Sequence, residues 1–128
     1  MRGTIRRQVR INCSPDKVWE LVGDAARIPV WFPGIVSAEI DGDTRTITTG
    51  SEIPMAEQFW ADPLQRRFQY RITGGLFREH LSTLDVIDLG DGTCLVVYGV
   101  DADPNTMALV IGGAAGNALE HLREILEG

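Results

Sequence analysis

Between residues 35 and 101 the chain breaks into short runs of strand-forming residues, and every break is a tight-turn sequence. The runs are 35–40, 44–49, 55–61, 67–73, 77–87 and 93–101. Their separators are Asp41-Gly42-Asp43, Gly50-Ser51, Asp62-Pro63, Gly74-Gly75 and Gly90-Asp91-Gly92. Gly, Asp and Pro supply the backbone conformations that reverse a chain over two or three residues. Connections this short leave no room for a crossover helix, so successive strands must be antiparallel neighbours. The stretch therefore reads as a meander.

What flanks the meander completes the element order. Residues 4–13 alternate as a strand, with Ile5, Val9, Ile11 and Cys13 on one face and Arg7 falling on that same face. Ser14-Pro15-Asp16-Lys17 is a helix start, combining a serine cap, a proline at the first helical position and an acid near the positive end of the helix dipole. Val18, Trp19, Leu21 and Val22 form that helix's apolar stripe, which ends near Gly23 and places Trp19 in the core. A second short helix, 25–31, stops at Pro33-Gly34, and a long C-terminal helix, 105–127, carries Leu109, Leu119, Leu122 and Leu126 around a Gly/Ala-rich middle. The chain is 128 residues long, with no linker, repeat or low-complexity tract, so it reads as a single domain over 1–128. The expected architecture is α+β: a curved seven-stranded antiparallel sheet, two short helices and one long helix. One helix cannot fill the concave face of such a sheet, so the arrangement encloses a cavity.

Several function classes are disfavoured by composition. A net charge of −6 argues against nucleic acid, whose phosphates call for a basic surface. The longest apolar stretch, residues 107–115, is nine residues and contains two glycines, against about twenty for a membrane span. No apolar leader follows the basic N-terminus, so a cytoplasmic protein without membrane insertion is expected. Cys13 and Cys94 have neither metal-ligand spacing nor a nearby His, and the two histidines lack clustered carboxylates, so no metal and no thiol chemistry are expected. The Gly112-Gly113 run lies within a helical segment and is no phosphate loop, and there is no nucleophile elbow. No cofactor is expected.

With these elements in place, the chain resembles the helix-grip (START/Bet v 1-like, SRPBCC) superfamily, in its polyketide cyclase/dehydrase-like branch. The resembling residues are Ser14-Pro15-Asp16-Lys17-Val18-Trp19, Ile28 through Gly34, Thr44-Arg45, Glu57 with its apolar strand, Phe68 through Ile72 leading to Gly74-Gly75, and Gly92-Thr93. The likeness covers nearly the whole chain. It implies the helix-grip fold and a ligand cavity, because that superfamily shares a cavity and not a catalytic motif. It departs at Gly112-Gly113-Ala114-Ala115-Gly116, where bulky residues are usual; small residues there either widen the cavity or admit a closely packed neighbour.

Strand parity nominates the inward side chains. Arg45 shares a face with Ile47 and Thr49, Glu57 with Met55 and Phe59, and Tyr70 with Phe68 and Ile72. His80 and Ser82 share a face on the next strand, and Tyr98 lies between Val96 and Val100 on the last. Trp31, Arg45, Glu57, Phe59, Tyr70, His80, Ser82, Tyr98 and Leu109 are therefore the candidate ligand-binding residues, an apolar wall with a few placed polar groups. Arg45, His80 and Tyr70 are the candidates for catalysis.

Each carries two readings. Arg45 and Glu57 either pair with each other or meet the ligand's oxygens; a ligand role predicts that Arg45→Ala weakens binding with little effect on stability. His80 is either a rim residue or an internal proton carrier, whose ordinary pKa suits keto–enol chemistry. The tyrosines are wall residues or proton relays, and Trp31 with Phe32 is a cavity mouth or a plug. Trp60 faces outward by parity and marks a contact surface, and His121 is expected at the surface.

Three functions fit. The preferred one is binding of a hydrophobic, partly oxygenated small molecule, lipid- or polyketide-like, by a monomer or homodimer. The second is a polyketide cyclase, aromatase or dehydratase that folds its substrate and assists proton transfer. The third is an interaction module with a vestigial cavity.

Overall fold

A computed structural model describes residues 1–128. Seven strands form one antiparallel sheet: β1 (Gly3–Ile11), β2 (Ile35–Asp41), β3 (Thr44–Thr49), β4 (Pro54–Asp62), β5 (Arg67–Ile72), β6 (Glu79–Asp88) and β7 (Cys94–Asp103). Their spatial order is β1-β7-β6-β5-β4-β3-β2. The meander therefore runs unbroken from β2 to β7, and β1 adds beside the last strand, leaving β1 and β2 as edges. Pairing of β2 with β3 slips at a bulge between Ile35 and Ser37.

Helix α1 (Pro15–Val22) starts as its sequence dictates: the Ser14 hydroxyl accepts from the Lys17 amide and Pro15 occupies the first turn. The expected second helix is a 3-10 turn, Ala25–Arg27, running into a single α-helical turn, α2 (Ile28–Trp31). The long helix α3 (Asn105–Glu127) follows β7 after Pro104 alone. It is not apolar enough to cross a membrane, nor is any other helix.

The strand ends shift by one or two residues from the reading, β7 running on to Asp103, and the first and sixth strands depart from 4–13 and 77–87 for visible reasons. The first strand stops at Ile11 because the Asn12 amide turns away from the sheet to donate to Glu127 Oε2 at 2.8 Å. The sixth begins at Glu79, after the Gly74-Gly75 turn, and Phe77 instead packs its ring 5.1 Å from that of His80.

The core lies on the concave face, between the sheet and the helices. Phe68, Leu84, Val86, Val96, Val100 and Ile11 are buried there in one cluster with Val18, Val22 and Ile28 of the short helices and Ala115, Ala118, Leu119 and Leu122 of α3. Trp19, expected within that core, is half-buried at its edge and lies against Gly23. The small residues of α3 have a steric cause. A Cβ at Gly112 would come 2.5 Å from Ile5 Cγ2 on β1, so only glycine lets helix and strand approach this closely. Arg7, the charge on β1's inner face, resolves the same way: its stem lies along Gly116 and its Nε donates to the Gly112 carbonyl at 3.2 Å. The glycine run thus seats β1.

Candidate functional site

The N-terminal half of α3 stands clear of β3–β5, and a pocket of about 560 Å³ opens between them. Its sheet wall is Ile47, Met55, Glu57, Tyr70 and Ile72. Val110, Ile111 and Ala114 of α3 face that wall. The remaining side is built by Ile28 with the run Phe32-Pro33-Gly34-Ile35, and by Thr49-Gly50-Ser51 from the β3–β4 turn. Gly34 turns the chain here at φ +91°, a conformation that suits glycine, and its carbonyl accepts from the Gly50 amide at 3.0 Å. Glu57 and Tyr70 are the titratable groups in an otherwise largely apolar lining.

Behind that wall lies a buried polar group. Arg45 and Glu57 are register partners on β3 and β4, and Arg45 Nε donates to Glu57 Oε1 at 2.6 Å. Arg45 Nη1 donates to the Ala25 carbonyl at 3.2 Å, and the guanidinium lies over the rings of Phe68 and Tyr70, 5.2 and 5.3 Å from their centroids. Burial raises the Glu57 carboxyl above its ordinary range, against the opposing pull of Arg45.

A second buried group crosses β5, β6 and β7. The Ile72 amide donates to His80 Nδ1 at 2.9 Å, which leaves the ring proton on Nε2 to be donated to Ser82 Oγ at 2.8 Å. Ser82 stands directly opposite Tyr70 in the register, and the Tyr70 and Tyr98 hydroxyls bond each other. Burial pushes the Tyr70 phenol up to about 12 and Tyr98 well above its usual value. It pulls His80 down to about 4, with Arg71 adding to the effect.

The nominated residues thus divide among different places. Glu57 and Tyr70 reach the open pocket. Arg45 and Trp31 lie inward of it, and Tyr98 is buried deeper in the wall. His80 and Ser82 are buried in the sheet, with His80 also bordering a separate open groove of about 490 Å³ among Arg2, Arg71, Arg78, Glu79 and Asp101. That groove is charged and shallow in apolar surface, so it lacks the character of a hydrophobic-ligand site. Phe59 is stacked on Phe68, centroids 5.7 Å apart, and does not reach the pocket.

Leu109 is the clear correction: it is 62% exposed on the solvent side of α3, and Val110 and Ile111 face the pocket instead. Leu109 shares no buried stripe with Ala108, Gly112, Ala115 and Leu119, so its leucine spacing misassigned the helix face. Trp31 and Phe32 divide between the two readings, with Trp31 a buried plug and Phe32 a pocket residue. Trp60 is 42% exposed on the outer face beneath the Arg71 guanidinium, and His121 lies at the surface near Glu124. The Cys94 thiol is buried and pushed up to about 11, the opposite of an activated nucleophile.

A curved antiparallel sheet gripping one long helix, with an apolar pocket between them, defines a helix-grip protein. The model of the polyketide cyclase/dehydrase and lipid transport family matches residues 2–127, and the chain belongs to that family. Its structure is similar to that of XoxI from Bacillus cereus, at 23% identity over 98% of this chain and 96% of that one, with a TM-score of 0.90. A START superfamily protein from Mycobacterium smegmatis aligns at 20% identity over 98% and 94% of the two chains, TM-score 0.74. Norcoclaurine synthase from Thalictrum flavum, solved as a point mutant with a transition-state analogue, aligns at 14% identity over 99% and 95%, TM-score 0.77. At these identities the likeness is one of fold. No curated protein matches the sequence.

Proposed function

We propose that the protein holds a hydrophobic, partly oxygenated small molecule, of lipid or polyketide type, between α3 and the β3–β5 wall. The observation that carries this reading is the pocket itself: about 560 Å³, apolar on most sides, with Glu57 and Tyr70 as its placed polar groups. That volume and that lining are what a small-molecule site requires. Membership of a family described by polyketide cyclisation and lipid transport agrees with it.

Cyclisation or dehydration is the second reading, favoured by the run of hydrogen-bonding groups from His80 through Ser82 to Tyr70 and Tyr98. Proton transfer works best with groups that titrate near the operating pH. Here His80 lies near 4 and Tyr70 near 12, and both His80 nitrogens are engaged within the protein. Binding is therefore preferred over catalysis.

Native mass spectrometry of the gently purified protein, followed by solvent extraction, tests the proposal. A stoichiometric bound mass that disappears in an Ala114→Trp variant supports it. The same mass retained by that variant places the molecule elsewhere and overturns it.

A further inference from the structure

Helix α3 carries an exposed stripe without charge. Thr106, Leu109, Val110, Gly113, Ala114 and Asn117 are all exposed, and their spacing puts them on one face of the helix. Leu109 and Val110 are 62% and 63% exposed, and a Cβ added at Gly113 would touch nothing. From Asn105 to Leu119 the helix holds no Asp, Glu, Lys, Arg or His, in a chain whose net charge is −6. A helix face turned to water is ordinarily charged or polar. The stripe is also its own complement. A two-fold axis at right angles to the helix, level with the step from Ile111 to Gly112, turns position 109 onto 114, 110 onto 113 and 106 onto 117. Each pair matches around the helix as well, because at about 100° per residue its two members lie equally far to either side of the stripe's midline.

We infer that α3 pairs with α3 of a second copy of this chain, antiparallel about that two-fold, and that the second copy roofs the pocket. The pairing seats Leu109 on Ala114 and Val110 on Gly113 of the other copy, a large side chain over a small one each time. Thr106 and Asn117 meet as a hydrogen-bonding pair at either end. Val110 and Ala114 belong both to the stripe and to the pocket lining, so the incoming helix covers the pocket's open side. Charge selects the occupant. Copies of an acidic chain repel, and an uncharged face is where two of them meet without that cost. Glu120, one turn beyond Asn117 and paired with Arg123, then lies toward the positive N-terminal end of the other helix. A lipid surface is the poorer occupant, since α3 sets Arg123 against Glu120, Glu124 and Glu127 and has no aromatic anchor. A two-fold contact uses the stripe of both copies, so the assembly closes at two.

Sedimentation equilibrium on the full chain tests this independently of what the pocket holds. One helix face is a small interface, so a species of twice the 14.1 kDa subunit mass is expected to dominate at about 100 μM protein. Leu109→Asp, at a position that does not line the pocket, should weaken the pairing at least about tenfold by placing an unpaired charge in the contact. Adding Ala114→Lys to that variant should restore the dimer, because each new carboxylate then faces the other copy's new ammonium. Within one chain positions 109 and 114 lie on opposite flanks of the stripe, so the rescue acts between copies. A wild-type protein that stays monomeric at about 100 μM overturns the inference and leaves the ligand-binding reading intact. A dimer that Leu109→Asp leaves unchanged assigns the contact to another face and overturns it too. A double variant as weak as Leu109→Asp overturns the antiparallel register. A monomer that floats with neutral phosphatidylcholine vesicles gives the stripe to a lipid surface instead of a second copy.

Discussion

Arg45 and Glu57 face each other across β3 and β4 at 2.6 Å, with 2% and 3% of their side chains exposed. Removing one partner leaves the other charge buried alone, which costs about 3–5 kcal/mol. Arg45→Met and Glu57→Leu should each lose that much in urea unfolding, and the double variant should recover most of it. The expectation that Arg45→Ala spares stability is thereby replaced: the residue is structural as well as close to the pocket. Additive losses in the double variant would show the two side chains to be uncoupled.

Gly112 and Gly113 are neighbours with opposite surroundings. A Cβ at Gly112 meets Ile5, whereas one at Gly113 meets nothing within 4 Å. Gly112→Ala is expected to destabilise by about 1–3 kcal/mol through overpacking. Gly113→Ala should stabilise by roughly 0.5–1 kcal/mol through helix propensity. Thermal melts of the two variants moving in the same direction would contradict the packing argument.

Acid should weaken the fold through His80. Its imidazole stays neutral in the native protein down to about pH 4, while in the unfolded chain it takes a proton near its ordinary 6.5. The unfolded state therefore binds more protons between pH 6.5 and 4, and stability falls as pH drops through that window, by up to about 3 kcal/mol. His80→Asn, which keeps an acceptor for the Ile72 amide, should flatten the slope by about one proton. An unchanged slope assigns the acid sensitivity to another group.

Ala114 lies on the exposed side of α3 and faces the pocket. Ala114→Trp should fill that space and lower 2-ethylnaphthalene affinity at least tenfold, with stability changed by no more than roughly 0.5 kcal/mol, as for a surface substitution. Calorimetric titration showing wild-type affinity would place the probe elsewhere.

Most of the fold was legible because turn chemistry and strand alternation are local signals. The separators Asp41-Gly42-Asp43 and Gly90-Asp91-Gly92 set the strand pairing, and parity put Arg45, Glu57, Tyr70, His80 and Tyr98 on the buried face. Parity gives a face but no depth, so it could not distinguish Tyr70 in the pocket from Arg45 and Tyr98 behind it. The helix wall was misread at Leu109 because α3 buries Ala108, Gly112 and Ala115, small residues that carry almost no apolar signal. Ile28, Gly34, Gly50 and Ser51 went unnominated, since loops meet the pocket only through tertiary folding.

The bulge at Ile35/Ser37 has a consequence for how copies of the protein meet. An open sheet presents bare amides and carbonyls at its edge, an invitation to strand addition and precipitation. On β2 regular pairing with β3 runs only from Ser37 to Asp41, and Glu39 and Asp41 both lie exposed within that stretch. An incoming copy of the same strand would find a short, kinked template that repels it by charge. The wall of the open pocket is thus joined to an edge that discourages polymerisation.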